Sequence, residues 1–262
     1  MQIDFSLTVI VSSCDKYNDL WRPFFRLFEI YWPDCPFPVK LISEELKFEL
    51  SVGESLCLGK GLDWSSLLLR ALDRCSTRYV ILCLDDFFLR KSVNTQRILH
   101  LLWAMDFYHL NMLRLTPRPG PERDAAGNIE YGTLQPSEPY RVSTQAALWR
   151  KDVLQRLLLP GESAWEFEVN GSRRANEIEG FSCVWETAFP YRHHVIEKGK
   201  WFPWAAWRFS RMGIGVDLSR RPVMSVAETI RWLTSKAFGP VARRLPPFVR
   251  RVVKPLIKEL GW

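Results

Sequence analysis

The sequence predicts an α/β protein with a doubly wound, mostly parallel sheet flanked by helices and a basic amphipathic helical tail at the C-terminus. Two observations support the sheet. Short, apolar, β-branched runs are typical of strands covered on both faces, and they alternate with helical patterns through residues 5–115. The length of 262 residues, with 47% hydrophobic and 25% charged, is enough to bury a sizeable core.

Each element has its own signal. The run from Phe5 to Val11 ends in a polar cluster, a proline-rich connection precedes the next run, and the apolar run that ends at Leu84 is the clearest buried strand. The helices show apolar residues at helical spacing. The predicted strands are 5–11, 39–43, 79–84 and 112–115, and the predicted helices are 20–28, 65–75, one beginning after Ser92, and 151–159.

The middle of the chain is less regular. Residues 116–140 contain five prolines and three glycines, which predicts a long loop with a functional role, such as a lid or binding loop. A second helix is expected to start at Ser163, and one more strand within residues 191–201.

Charge divides the chain into two predicted domains. Residues 220–262 hold ten Lys/Arg and two Glu, a net charge of +8, whereas residues 1–219 hold 26 basic and 27 acidic side chains. The body therefore gives no electrostatic reason to bind nucleic acid. We expect a catalytic domain at 1–219 and a membrane-association tail at 220–262.

The chain has the features of a cytosolic protein. The N-terminus lacks the basic start of a signal peptide, and no apolar stretch approaches the ~18 residues of a membrane-spanning helix. The six cysteines show no metal-ligand spacing, so we expect six reduced thiols.

Polar residues follow two of the predicted strands. Ser12, Ser13 and Asp15 follow the first, and Asp85–Asp86 follow the buried one. Because ligands bind at the carboxyl ends of strands in open α/β sheets, these positions are candidate binding residues. Adjacent carboxylates there suit Mg²⁺ or Mn²⁺ bridging to a diphosphate, although a solvated turn is the simpler alternative.

These strand ends, together with Ser43–Glu44, resemble the GT-A-fold glycosyltransferases. Two segments are similar to those of small bacterial enzymes of surface-polysaccharide and lipopolysaccharide assembly: Leu84-Asp85-Asp86-Phe87-Phe88 and Trp165-Glu166-Phe167-Glu168. The resemblance covers residues 5–205. Leu84 stands where a full D-x-D motif has its first Asp.

The resemblance implies a nucleotide-sugar donor, with UDP as the nucleotide, and a divalent cation, Mn²⁺ or Mg²⁺. Asp86 would be a metal ligand, and Asp85 would face the ribose or the sugar and act in catalysis. The other implied donor-binding residues are Ser12, Ser13, Asp15, Glu44, Trp64, Ser65 and Lys200. A late histidine, His194, would complete the metal shell.

Glycosyl transfer with inversion needs a base for the acceptor hydroxyl. The resemblance places this role among Glu162, Glu166 and Glu168. Ser163 and Glu166 also form the S-x-x-E pattern of a capping box, which is the structural alternative for Glu166.

The tail predicts a membrane anchor. Ser225 and Glu228 form a second capping box, and residues 248–260 keep apolar residues at helical spacing opposite Arg and Lys. Such a segment is typical of a helix lying on anionic lipid, and a helical pair packed on the body is the alternative. We expect a peripheral protein on the cytoplasmic face of the inner membrane with a lipid-linked saccharide acceptor, where other polysaccharide-assembly enzymes are possible partners.

Two other functions fit the sequence less well. A sugar nucleotidyltransferase usually carries a Gly-rich phosphate loop after its first strand, and residues 12–17 contain no Gly. A non-enzymatic membrane or scaffold protein acting through the tail would not need Asp85–Asp86.

Overall fold

The computed structural model describes residues 6–121, 123–124 and 129–244. The chain divides into two compact units, Met1–His193 and His194–Trp262. Residues 194–219 group with the C-terminal segment in this division, and the domain boundary after residue 219 stays a prediction.

The first unit contains a nine-stranded sheet in the order β3-β2-β1-β4-β8-β5-β9-β7-β6. Strands β1 to β4 are mutually parallel, β8 is antiparallel to both β4 and β5, and β9 is parallel to β5. The strands are β1 (Leu7–Ser12), β2 (Val39–Ser43), β3 (Glu54–Cys57), β4 (Tyr79–Leu84), β5 (Met112–Arg114), β6 (Arg123–Asp124), β7 (Tyr131–Thr133), β8 (Ala147–Arg150) and β9 (Phe181–Val184).

Some helices of the first unit begin at a side chain that caps the first turn. The Asp63 carboxylate accepts the backbone N–H of Ser66 at 2.9 Å at the start of α2, and Asn94 accepts that of Arg97 at 3.0 Å at the start of α3. The helices are α1 (Trp21–Tyr31), α2 (Trp64–Asp73), α3 (Thr95–Phe107), α4 (Lys151–Leu157), α5 (Ala164–Glu166) and α6 (Ser172–Arg174).

The core lies on both faces of the central strands. All six residues of β1 are buried, as are the first five of β4, which is why these runs are almost continuously apolar. Their burial, at roughly 25 cal/mol per Å² of apolar area, is the main stabilising contribution to this half of the sheet. The predicted α/β fold class is confirmed.

Several local expectations were wrong in detail. Strands β3, β8 and β9 carry no strong sequence signal, and the loop at 116–140 includes the short strands β6 and β7. The helix expected from Ser163 is broken into the single turn α5, a π turn at Phe167–Gly171, the single turn α6 and a 3₁₀ turn at Ala175–Glu177. All six cysteines carry free thiols.

The second unit begins with a hairpin rather than the single strand expected within residues 191–201. It contains β10 (Ile196–Glu197), β11 (Lys200–Trp201), α7 (Pro203–Arg211) and α8 (Val226–Arg244). The predicted capping box at the start of α8 is confirmed: Glu228 accepts the N–H of Ser225 at 2.8 Å and donates its own to the Ser225 hydroxyl at 3.2 Å.

Within the described ranges, no helix is long and apolar enough to cross a membrane. The second tail helix predicted at 248–260 lies outside the described residues.

Candidate functional site

The strand directions bring one set of polar residues to one edge of the sheet. The parallel strands β1, β2 and β4 all end there, at Ser12, Ser43 and Leu84. We call the residues that follow these strand ends, together with Ser12, the acidic edge: Ser12, Ser13, Asp15, Glu44, Asp85 and Asp86.

Ser13 is the hydrogen-bonding centre of the acidic edge. Its hydroxyl donates to the Asp85 carboxylate in a short contact and accepts the indole N–H of Trp21 at 2.6 Å. Asp85 is 8% exposed, and its main-chain N–H donates to the Ser12 carbonyl at 3.2 Å. This arrangement fixes one oxygen of a nearly buried carboxylate at the end of β4, next to the half-buried Asp86.

Asp15 and Glu44 join the loops that follow β1 and β2. The Asp15 carboxylate accepts the main-chain N–H groups of Glu44, Glu45 and Leu46 at 2.9–3.1 Å. In return, the N–H of Asp15 donates to the Glu44 carboxylate at 3.2 Å. These two acidic side chains therefore shape the rim of the acidic edge.

Trp64 and Ser65, at the start of α2, have different environments. The half-buried Trp64 donates its indole N–H to the Ser12 hydroxyl at 2.9 Å, which brings it to the acidic edge. Ser65 is fully buried, and both its N–H and its hydroxyl donate to the Glu162 carbonyl, at 3.2 and 3.0 Å. The buried Ser65 therefore links the start of α2 to the segment at Glu162, and its donor-binding role stays a prediction.

The antiparallel strand β8 adds residues to this edge that the sequence analysis missed. Because β8 runs opposite to β4, with Leu82 paired to Ala147, the segment before β8 lies beside the end of β4. Within that segment the Thr144 N–H and hydroxyl donate to the Glu168 carboxylate at 2.7 and 2.8 Å. Gln145 accepts the hydroxyl of Tyr191 in a short contact.

Tyr191 connects this segment to the acidic edge. Its ring stacks on Phe87 with centroids 4.2 Å apart, and only 4% of the residue is exposed. Burial, with a smaller contribution from the negative charge of Asp86, raises the pKa of the Tyr191 hydroxyl well above its ordinary value. Tyr191 is therefore a neutral hydrogen-bond donor close to the acidic edge.

The three candidate bases are distinguished by their contacts. Glu166 forms the capping box with Ser163, whose main-chain N–H donates to the Glu166 carboxylate at 2.8 Å and lowers its pKa. Glu162 is held by Arg174 at 2.6 Å, and this hydrogen bond lowers the pKa of Glu162. Glu168 is half-buried, is oriented by Thr144, and lines a cavity of about 360 Å³.

His194 and Lys200 belong to the second unit. His194 contacts the Glu197 carboxylate through Nδ1, and Lys200 forms an ion pair with Glu228 at 2.5 Å. Both side chains therefore have acidic partners within their own unit. The resemblance had implied a metal-binding role for His194 and a donor-binding role for Lys200.

The acidic edge suits a cation shared with a substrate. Mg²⁺ and Mn²⁺ are commonly held by one or two carboxylates together with phosphate oxygens, and Asp85–Asp86 supply that donor set. Across the residues that the structure describes, no group of three or more His, Cys, Asp and Glu is placed to hold a metal. The two carboxylates that follow β4 are of the type that Mg²⁺ and Mn²⁺ prefer.

The strand order, with a parallel half joined to a mixed half through an antiparallel strand, and the acidic edge define a GT-A-like fold. This is the fold of the glycosyltransferase family that the sequence resembles.

Comparison with known proteins finds only distant similarity. No family model and no curated protein matches the sequence. Residues 1–349 of TarS from S. aureus share 12% identity with a TM-score of 0.47, and the match covers 71% of this chain and 59% of that one. This chain thus spans about three-fifths of the TarS fragment, which has also been solved with UDP-GlcNAc.

A second solved structure is the mannosyltransferase PcManGT from Pyrobaculum calidifontis, in complex with GDP-Man and Mn²⁺. It shares 12% identity with a TM-score of 0.49, and the match covers 98% of this chain and 81% of that one. A mycobacterial protein matches at 9% identity with a TM-score of 0.42, over 85% and 76% of the two chains.

Proposed function

We propose that this protein is a glycosyltransferase that moves a sugar from a nucleotide-sugar donor to a hydroxyl of a growing saccharide. The observation that carries the proposal is that carboxylates follow β4 and that the antiparallel β8 starts beside the same end of the sheet. Asp85 and Asp86 follow β4, and Thr144, in the segment preceding β8, holds Glu168. The pair after β4 suits the donor diphosphate, and Glu168 suits proton removal from an acceptor.

The donor in this proposal is a UDP-sugar. Ser12, Ser13 and Trp64 line the acidic edge, and Asp15 and Glu44 shape the two loops at its rim. Asp85, oriented by Ser13, would contact the ribose or the transferred sugar. Bound Mn²⁺ or Mg²⁺, with Asp86 among its ligands, would supply positive charge to the departing diphosphate.

Glu168 is the proposed base. Glu162 is paired with an arginine and Glu166 closes a capping box, whereas Glu168 is the one of the three that lines the cavity. Glu168 removes the proton from the acceptor hydroxyl as that oxygen bonds to the anomeric carbon. The bond from this carbon to the diphosphate breaks, and its electron pair leaves with the diphosphate, which inverts the anomeric configuration.

The acceptor in this proposal is lipid-linked, and the enzyme binds the cytoplasmic face of a bacterial inner membrane through residues 220–262. In the described part of this segment, the apolar side chains of Val226, Ile230 and Leu233 are 75%, 56% and 53% exposed. Their spacing places them on one face of α8. Exposed apolar residues on a basic segment support binding to anionic lipid, where each Lys or Arg contributes about 1 kcal/mol.

Thermal unfolding with nucleoside diphosphates, with and without Mn²⁺, tests the donor site. We expect a stabilising shift with UDP that requires Mn²⁺ and is lost in Asp86→Asn. Asp73→Asn is the matched control, because Asp73 is exposed at the end of α2. Absence of any shift in the wild-type protein, or an equal shift in Asp86→Asn, would contradict the proposal.

Co-sedimentation with vesicles tests the membrane association separately. Vesicles with anionic lipid should retain the protein, neutral vesicles should not, and Ile230→Glu should release it. Ile129→Glu is the control because Ile129 is the more exposed, at 91%, and lies in the first unit. If the protein binds anionic vesicles but no nucleotide shifts its thermal unfolding, a non-enzymatic role as a peripheral membrane protein becomes the better proposal.

A further inference from the structure

The cavity beside Glu168 has two walls of different origin. One wall is the loop at 137–140, and the other is the helical segment at 168–176. We call this cavity the cleft; its volume of about 360 Å³ is within the range of sites that bind small molecules. The loop wall lies within residues 116–140, where the prolines and glycines predicted a binding loop, but the sequence did not indicate that this loop faces residues 168–176.

The loop wall is held in place by two buried arginines. Arg114, at the end of β5, is fully buried and donates to the carbonyls of Pro119 at 2.6 Å, Tyr140 at 2.5 Å and Arg141 at 3.2 Å. Arg141 donates to the Leu134 carbonyl at 3.1 Å and to that of Ala175 in a short contact. The loop is thus fixed to the sheet and to the opposite wall.

A further bond crosses directly between the walls. The Asn176 side chain accepts the N–H of Ser137 at 2.9 Å. Tyr140 adopts a left-handed backbone conformation, with φ of 59°, and 46% of the residue is exposed at the cleft. An aromatic ring carried on a fixed loop is a pre-organised stacking surface.

The remaining lining is polar. Glu138 and Glu168 each have one oxygen engaged by a main-chain N–H, at 2.6 and 2.7 Å, and Arg173 and Asn176 add hydrogen-bond donors. Carboxylates, an amide and a guanidinium around an aromatic ring match the alternating hydroxyl and C–H faces of a pyranose. Two carboxylates against one arginine give the lining a net negative charge, which disfavours anionic ligands.

We infer that the cleft binds a pyranose unit without negative charge, and that this unit belongs to the acceptor saccharide. Its description as the acceptor rests on the proposed function, whereas its binding to the cleft does not. Glu138 and Glu168 would repel uronic acids and sugar phosphates, so the cleft selects among acceptors by charge as well as by shape.

Ligand-observed saturation-transfer NMR on the full chain, without nucleotide, tests this inference. The probes are methyl glycosides of neutral hexoses and N-acetylhexosamines, compared with methyl uronates and hexose phosphates. We expect binding of at least one neutral glycoside and of none of the anionic probes. Tyr140→Ala and Asn176→Ala should weaken that binding by about tenfold.

Two variants control for folding and for non-specific contact with aromatic side chains. Tyr140→Phe keeps the ring and should bind as the wild type does. Trp207→Ala is the control for non-specific contact, because it removes an aromatic side chain that is 63% exposed in the second unit. Unchanged binding in Tyr140→Ala, a preference for uronates or phosphates, or no binding of any glycoside would overturn the inference.

The nucleotide measurement separates this inference from the proposed function. A UDP shift without glycoside binding would leave the transferase proposal in place and overturn the cleft. Glycoside binding that depends on Tyr140, without any nucleotide shift, would support the cleft as a saccharide site and contradict the transferase.

Discussion

Replacing Arg114 with Met tests whether the buried guanidinium holds the loop at 116–140. The side chain donates three hydrogen bonds to main-chain carbonyls, at 2.5–3.2 Å. Hydrogen bonds from a charged donor contribute about 1.5–3 kcal/mol each, so three together contribute about 4.5–9 kcal/mol before other terms are considered. Against this, the substitution removes the desolvation penalty of a buried cation, which is several kcal/mol and also lowers the pKa of Arg114.

We therefore expect Arg114→Met to lower the free energy of unfolding by about 2–3 kcal/mol. Urea unfolding followed by circular dichroism and tryptophan fluorescence measures this change, and limited proteolysis should show faster cleavage within the loop. Arg118→Met is the matched control, since Arg118 is exposed on the same loop and its loss should cost less than about 0.5 kcal/mol. Equal unfolding free energies for the two variants would refute the role assigned to Arg114.

Three further predictions concern single residues. Gly53→Ala should lower the free energy of unfolding by more than about 2 kcal/mol, because φ is +102° and an added Cβ would lie 2.0 Å from a carbonyl oxygen of β2. Gly61→Ala is the control: φ is +76° there and the space around the added Cβ is open, so the cost should be about 1 kcal/mol. The same urea assay measures both. Glu168→Gln should reduce kcat at least about 100-fold and Glu166→Gln less than about threefold, and the reverse order in a transfer assay would contradict the choice of base. Glu162→Gln should be less stable than the wild type above pH 4.5, and this difference in stability should shrink as the pH falls. The reason is that the bound arginine lowers the pKa of Glu162 in the folded state. A difference that is independent of pH would exclude the ion pair as its source.

The parallel half of the sheet was predictable because its signals are local. Strands β1 and β4 are covered on both faces and read as continuous apolar runs, and α2 has its apolar stripe and an Asp N-cap within ten residues. The end of β4 could therefore be located from the sequence alone, and its role as a binding position stays a prediction.

The rest of the site depends on pairing between distant segments. Thr144 and Gln145 reach the acidic edge only because β8 runs antiparallel to β4, and no local pattern encodes that direction. Arg114 did give a signal, a charged residue inside an apolar strand, but its partners lie up to 27 residues away. The sequence predicted a helix from Ser163 but not its break, because the buried residues of the π turn keep a spacing close to that of an α-helix.

The position of β8 beside β4 also affects how the chain is made. On one side β4 pairs with β1, which precedes it in the sequence, whereas the partner on its other side is formed by residues 147–150, which are synthesised later. At about 10 residues per second, that interval is roughly 6 seconds. During it a fully apolar strand presents unpaired main-chain groups, the arrangement most prone to pairing with other chains. The same reversal that places Thr144 beside the end of β4 therefore leaves one side of that strand open to other chains until residues 147–150 are made.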